Sequence, residues 1–187
     1  MSLNPNNGAI SKTDKPVDIP DVKWQKPVTL TQAKDKGGER AIVTYVGDGD
    51  SASLLRKDGT QVNCRIDSID APETAKAKYG KQGQAFSRES QQTLEKLIEN
   101  KEVTLRITKP ATTGKNYDRA LCQIEVEGKG VDKSMLEAGA AWLYRRYANN
   151  PELAAAEEQA RTSKKGLWAD LNAENPESFR RRTEGSR

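Results

Sequence analysis

The stretch CRIDSIDAPE, residues 64–73, begins like a half-buried strand but carries Arg65, Asp67, Asp70 and Glu73 within nine residues. An unpaired charge on the core side of a strand costs several kcal/mol or is neutralised by protonation. The end of this strand is therefore expected to hold something rather than only to pack. Simple alternation cannot bring Arg65 and Asp70 to one face, because their numbers differ by five and strand side chains repeat every two. A bend or bulge between them is expected to bring both into one pocket.

The surrounding pattern is that of short strands. Alternating runs occupy Ala41 to Val46, Ser51 to Arg56 and Gln61 to Ile69. Between the second and third runs, Asp58-Gly59 reads as a two-residue hairpin turn. Further strands are expected at Glu102 to Thr108 and Arg119 to Glu127, joined by the loop PATTGKNYD. Glu73 to Gln84 is polar, contains Gly80 and Gly83, and reads as a loop. Phe86, Leu94, Leu97 and Ile98 fall at helical spacing within Ala85 to Asn100. A short helix from Val131 to Ala138 is closed by Gly139. Asn150 and Pro151 form an N-cap and N1 pair for a last helix that stops at Gly166. Five strands and three helices, with the first three strands contiguous, imply an α+β fold: a small, mainly antiparallel barrel with helices packed on it.

Three regions follow. Residues 1–38 read as a mobile arm, 39–171 as the domain, and 172–187 as a basic tail containing Arg180-Arg181-Arg182. The tail has two readings, a solvated disordered end or an auxiliary phosphate contact.

Composition narrows the chemistry. The 187 residues include no histidine, which removes zinc-hydrolase motifs with His ligands, Ser-His and Cys-His nucleophile pairs, and every nuclease with a histidine base. A formal charge of +4 permits a polyanionic partner without requiring one. No apolar run is long enough for a transmembrane helix, and the first residues lack the apolar core of a secretory signal. Cys64 and Cys122 have no CxxC spacing; they are either two buried thiols or one disulfide between strands.

Two acidic clusters remain, Asp48-Gly49-Asp50 and Asp70-Ala71-Pro72-Glu73, each at the end of a strand run. A hard cation such as Ca²⁺ takes several oxygen ligands, which Asp50, Asp70, one backbone carbonyl and water would supply. Arg65 and Arg119 lie in or beside apolar strand runs. Each either pairs with a carboxylate or offers two parallel hydrogen bonds to an oxyanion. A metal, two arginines and a spare carboxylate suffice for phosphodiester hydrolysis without histidine.

These residues carry a family resemblance. Over about Ala41 to Ala169 the chain resembles the staphylococcal nuclease (thermonuclease) family, through VGDGDS at 46–51, RIDSIDAPE at 65–73, YG at 79–80, YDRAL at 117–121, GAAW at 139–142 and GLW at 166–168. The resemblance implies a five-stranded OB-fold barrel with three helices and a Ca²⁺-dependent nuclease that cuts DNA and RNA to leave 3′-phosphates. It further implies Asp50 and Asp70 as carboxylate metal ligands and Ala71 as a main-chain ligand, with Asp48 behind them. Arg65 and Arg119 would hold the scissile phosphate, Glu73 would act on the attacking water, and Lys115, Tyr117 and Tyr147 would contact the nucleotide. Two positions depart from the family pattern. Asp118 replaces the glycine of Tyr-Gly-Arg, and Asn116 stands where a lysine is usual. A protein of this kind is expected to be secreted or periplasmic, monomeric and without a membrane partner. The competing reading is a non-catalytic OB-fold module that binds single-stranded nucleic acid or a peptide. Aromatic residues are only 5% of the chain and the set Asp50, Arg65, Asp70, Glu73 and Arg119 is complete, which favours the enzyme.

Overall fold

The computed structural model describes residues 37–112, 119–146 and 148–184. Strands β1 (Glu39–Asp48), β2 (Ser51–Arg56) and β3 (Gln61–Ile66) form a meander. With β5 (Glu102–Lys109) and β6 (Ala120–Val126) they follow the order β3-β2-β1-β5-β6, and a parallel β3–β6 pairing closes them into a five-stranded barrel. Short strand β7 (Lys129–Gly130) pairs antiparallel with the end of β6. The barrel is filled by Val43, Leu54, Ile66 and Leu105, all essentially inaccessible. Helix α1 (Ser87–Ile98) adds Leu94 and Ile98 to this core, and α2 (Val131–Glu137) adds Met135 and Leu136.

Most elements form where the pattern of apolar residues places them. Gly139, with φ 64°, lies in the left-handed region just beyond the Ala138 cap of α2. Asn150 Oδ1 accepts from the Glu152 N–H at 2.9 Å, and Pro151 opens α3 (Pro151–Thr162). That helix stops at Thr162 instead of Gly166, which begins a 3₁₀ turn, Gly166–Ala169.

Three expectations need correction. The Asp58-Gly59 hairpin has a three-residue loop, closed by the Arg56 N–H donating to Thr60 O at 2.9 Å, with Gly59 at φ 81°. A left-handed residue at the third loop position restores the strand twist. The run from Gln61 does not continue to Ile69. β3 ends at Ile66, the chain turns at Asp67-Ser68, and a two-residue strand β4 (Ile69–Asp70) pairs with β8 (Trp142–Leu143) in a separate small sheet. Of the bend or bulge expected between them, it is a bend, the turn at Asp67-Ser68, that brings Arg65 and Asp70 together. Asp67 accepts from Thr108 Oγ1 at 2.7 Å, and its N–H donates to Cys122 O at 3.1 Å, which pins this turn to β5 and β6.

The third correction concerns the tail. Residues Pro176–Glu184 form a fourth helix, α4, beyond the three expected. Its one large apolar residue, Phe179, is buried, and the Glu177 N–H is capped by Asn175 Oδ1 at 2.9 Å. A single buried anchor is too little for apolar periodicity to reveal in a segment otherwise so charged.

Cys64 and Cys122, both inaccessible, form a disulfide between β3 and β6. These strands pair with Cys64 opposite Ala120 and Ile66 opposite Cys122, so the bond crosses the seam that closes the barrel. The two cysteines are 58 residues apart. A crosslink enclosing a loop of that length restricts the unfolded chain enough to contribute about 4 kcal/mol. Urea unfolding with and without reductant is expected to show a loss of that order in the reduced protein.

Candidate active site

The site is built where the β1–β2 turn meets β3, β4 and the loop after them. Asp48 pairs with Ser51 across the turn, which leaves Gly49 and Asp50 at its tip. Gly49 lies against α1. A Cβ there would collide with Ser90 Oγ and stand 2.8 Å from Ala71 Cβ. Ser90 Oγ is itself fixed by donating to Ala140 O at 2.6 Å, so no side chain fits at Gly49 without moving the turn. The Asp50 carbonyl accepts from the Ile66 N–H at 2.8 Å, which ties the tip to β3.

Asp50 and Asp70 are 2% and 1% exposed, and they converge on one nitrogen. Arg65 Nη2 lies 2.8 Å from Asp50 Oδ2 and 2.5 Å from Asp70 Oδ1. Asp50 Oδ2 also accepts from the Ala71 N–H at 3.3 Å. Asp48, 7% exposed, accepts from Ser51 Oγ and, at 3.4 Å, from the Asp50 N–H. Three carboxylates thus share a small, poorly hydrated volume. Burial pushes the Asp50 carboxyl well above the usual carboxylate range; Arg65 opposes this, while the charges of Asp48 and Asp70 add to it. Asp48 is also subject to desolvation, but hydrogen bonds with Asp50 and Ser51 and the charge of Arg119 hold it below its ordinary value.

Glu73 stands half-buried at the mouth. Its backbone is held on both sides by buried Gln84. The Glu73 N–H donates to Gln84 Oε1 at 3.2 Å, and the Gln84 N–H donates to Glu73 O at 2.8 Å. Its carboxylate accepts from Arg180 Nη1 at 2.6 Å. Arg119 is exposed and lies just before β6, next to Ala120, the register partner of Cys64. It lines a cleft of about 440 Å³ with Asp48, Lys76 and Tyr45. Tyr45 is turned outward by an irregularity in the β1–β2 register between Val43 and Tyr45, and is 59% exposed.

The structure therefore brings together Asp48, Asp50, Arg65, Asp70, Ala71 and Glu73, with Arg119 across the adjoining cleft. Lys115, Tyr117, Asp118 and Tyr147 lie outside the described residues. Residue patterns alone passed over Gln84 and Tyr45. Gln84 leaves no signal in a polar loop, and Tyr45 leaves none inside a run that reads as a plain alternating strand. Arg180 was visible only as part of an arginine run.

Among the described residues, no group of three or more His, Cys, Asp or Glu side chains is arranged to hold a metal ion. The donor chemistry nevertheless fits a hard cation. Two buried carboxylates already converge on a point of positive charge, and burial keeps the Asp50 carboxyl raised in spite of Arg65.

A closed five-stranded barrel with helices packed on it, bearing buried carboxylates, two arginines and a glutamate at its mouth, defines an OB-type fold with the groups of a phosphodiesterase. The model of the family described as "Staphylococcal nuclease homologue" matches residues 63–170. An uncharacterised endonuclease of Haemophilus influenzae is 33% identical over 154 residues, 82% of this chain and 79% of that protein. One of Escherichia coli is 34% identical over 143 residues, 75% of this chain and 84% of the other. A staphylococcal-like nuclease of Arabidopsis thaliana is 36% identical over 121 residues, 65% of this chain but 34% of that longer protein. The chain belongs to the staphylococcal nuclease family. The span matched by the family model contains Arg65, Asp70, Glu73, Gln84 and Arg119; Asp48 and Asp50 precede it, and α4 follows it.

Two outcomes are expected from this geometry. In EDTA, Asp50→Asn removes an acid whose charged form burial disfavours, and should raise stability by about 1 kcal/mol, or roughly 2–4 °C in Tm. Gly49→Ala should lower stability by about 1–3 kcal/mol through overpacking against Ser90, read by the same thermal melts.

Proposed function

We propose that the protein is a Ca²⁺-dependent phosphodiesterase that hydrolyses DNA and RNA and leaves 3′-phosphate ends. The observation that carries this reading is the convergence of Asp50 and Asp70 on Arg65, with Glu73 at the mouth of the same pocket. Asp50, Asp70 and the Ala71 carbonyl would hold the cation, which when bound supplies positive charge to the phosphate under attack.

The remaining roles fall to side chains. Arg65 and Arg119 bind non-bridging phosphate oxygens and stabilise the charge that builds on them as water adds to phosphorus. Glu73 accepts the proton of that water, the P–O5′ bond breaks, and the 5′ oxygen leaves with a proton from solvent. Gln84 holds the Glu73 backbone so that its carboxylate stays in line. The exposed ring of Tyr45, in the cleft that holds Arg119, is placed to stack on a neighbouring base. Lys115, Tyr117 and Tyr147 are assigned the nucleotide contacts that the family resemblance implies.

The pocket is completed by one chain, which supports action as a monomer. Among the described residues no helix is long and apolar enough to cross a membrane. The Cys64–Cys122 disulfide supports a working place in an oxidising compartment, outside the cell or in a periplasm.

Digestion of single-stranded and duplex DNA and of RNA with Ca²⁺, Mg²⁺ or EDTA tests the proposal. Cleavage with Ca²⁺ and terminal phosphates released by a 3′-phosphatase are expected. Glu73→Gln should lower kcat by about 10²–10⁴, the usual contribution of a general base. No cleavage above the EDTA control would replace the enzyme with a nucleic-acid-binding module.

A further inference from the structure

Helix α4 lies beyond the span matched by the family model, yet it reaches the centre of the site. Arg180 Nη2 donates to Asp70 Oδ2 at 2.8 Å, and Nη1 donates to Asp70 Oδ1 at 3.0 Å and to Glu73 Oε1 at 2.6 Å. Both oxygens of one proposed cation ligand and one oxygen of the proposed base are thus taken by a single guanidinium. Arg65 occupies Asp50 Oδ2 and shares Asp70 Oδ1. A fork of this kind matches a carboxylate in a way that a single point charge does not.

The helix is seated by more than this contact. Phe179, next to Arg180, is buried, and Gln84 Nε2 donates to Glu174 O at 2.5 Å just before α4. Gln84 is also the residue that clamps the Glu73 backbone, so one side chain joins the site loop to the segment leading into α4. Arg146 Nη2 donates to Glu177 Oε1 at 2.6 Å, a further tie to the body of the domain. Between α4 and the loop after Glu73 lies a cleft of about 690 Å³, lined by Glu73, Tyr79, Lys81, Phe179 and Arg180 among others. The approach to Glu73 is therefore bounded on one side by α4.

We propose that α4 is an internal lid on this site, in which the Arg180 guanidinium takes the place of the divalent cation between Asp70 and Glu73, so that cation binding and helix docking exclude one another. The inference rests on the assignment of Asp50 and Asp70 as cation ligands. Its physical basis is competition for the same lone pairs. Asp70 Oδ1 already accepts from Arg65 and Arg180, and Oδ2 from Arg180, so of the roughly four lone-pair sites of a carboxylate only one is left for a cation, which would also stand against both guanidinium charges. In the absence of cation the guanidinium compensates buried negative charge that would otherwise stand with Arg65 alone. With cation bound, that compensation is redundant and α4 retains only Phe179 and its peripheral contacts.

The test is a calorimetric Ca²⁺ titration of the full chain as wild type, Arg180→Ala, Phe179→Ala and Arg181→Ala, paired with amide hydrogen exchange across Pro176–Glu184 with and without Ca²⁺. Arg180→Ala should bind Ca²⁺ about tenfold more tightly, the factor that a lid closed roughly nine-tenths of the time imposes on apparent affinity. Phe179→Ala, which keeps the guanidinium but removes the anchor, should shift affinity in the same direction. Arg181→Ala removes an equal charge from the exposed face of α4 and should stay within about twofold of wild type. Ca²⁺ should speed exchange in α4 of the wild type. Wild-type Ca²⁺ binding that Arg180→Ala fails to tighten overturns the lid and leaves the cation site standing, as does α4 exchange that Ca²⁺ slows or leaves unchanged. Absence of Ca²⁺ binding in all four proteins overturns the cation site and the lid together. A fall in kcat of Arg180→Ala at saturating Ca²⁺ also overturns the lid, because it places the guanidinium on the reacting phosphate.

Discussion

One guanidinium nitrogen, Arg65 Nη2, holds two buried carboxylates that would otherwise repel each other, and the geometry of the site depends on it. Asp50 comes from the tip of the β1–β2 turn and Asp70 from β4. Their shared partner stands on β3, opposite Ser51 in the β2–β3 register. A one-residue slip of β3 would carry Arg65 to the other face of the barrel wall and leave both carboxylates without it. Breaking such an arrangement leaves an uncompensated buried charge, so the interaction specifies register more than it adds net stability.

The rest of the structure keeps those three residues in place. The Cys64–Cys122 bond crosses the β3–β6 seam beside Arg65, and Gly49 lets the Asp50 turn lie directly on Ser90 of α1. Support for Asp70 runs further. β4 is held by β8, where Asp70 is opposite Trp142 and Ile69 opposite Leu143. The Leu143 N–H donates at 2.9 Å to Glu157 of α3, a carboxylate 1% exposed that also receives Arg145 at 2.7 Å. A fully buried glutamate of α3 thus holds β8, the strand that pairs with β4 and its proposed cation ligand. Such second-layer contacts fix the direction of the ligand they support.

Beyond the barrel, the site gains a feature that the matched family span does not contain. α4 lies over Asp70 and Glu73 with a third arginine, so that the buried carboxylates are met by two guanidinium groups, one from β3 and one from the C-terminal helix. Stability and function pull in different directions here. The acids that suit a cation destabilise one another, and the protein meets that conflict with internal positive charge.

The sequence by itself determined the barrel strands, the helices α1 to α3, the caps at Asn150 and Gly139, and the acid and arginine set that forms the pocket. These were legible because alternation, helical spacing, turn residues and the exclusion of histidine are local or compositional properties. Tertiary structure alone decided that the chain turns at Asp67-Ser68, that Ile69–Asp70 leaves the barrel to pair with Trp142–Leu143, and that Cys64 bonds to Cys122. It also decided that Gln84 clamps Glu73 and that the basic tail is a docked helix whose Arg180 lies on Asp70, 110 residues away in sequence. The reason is physical. A run of arginines looks the same whether its charges face water or a buried carboxylate, and a long-range ion pair has no period or spacing by which a sequence could announce it.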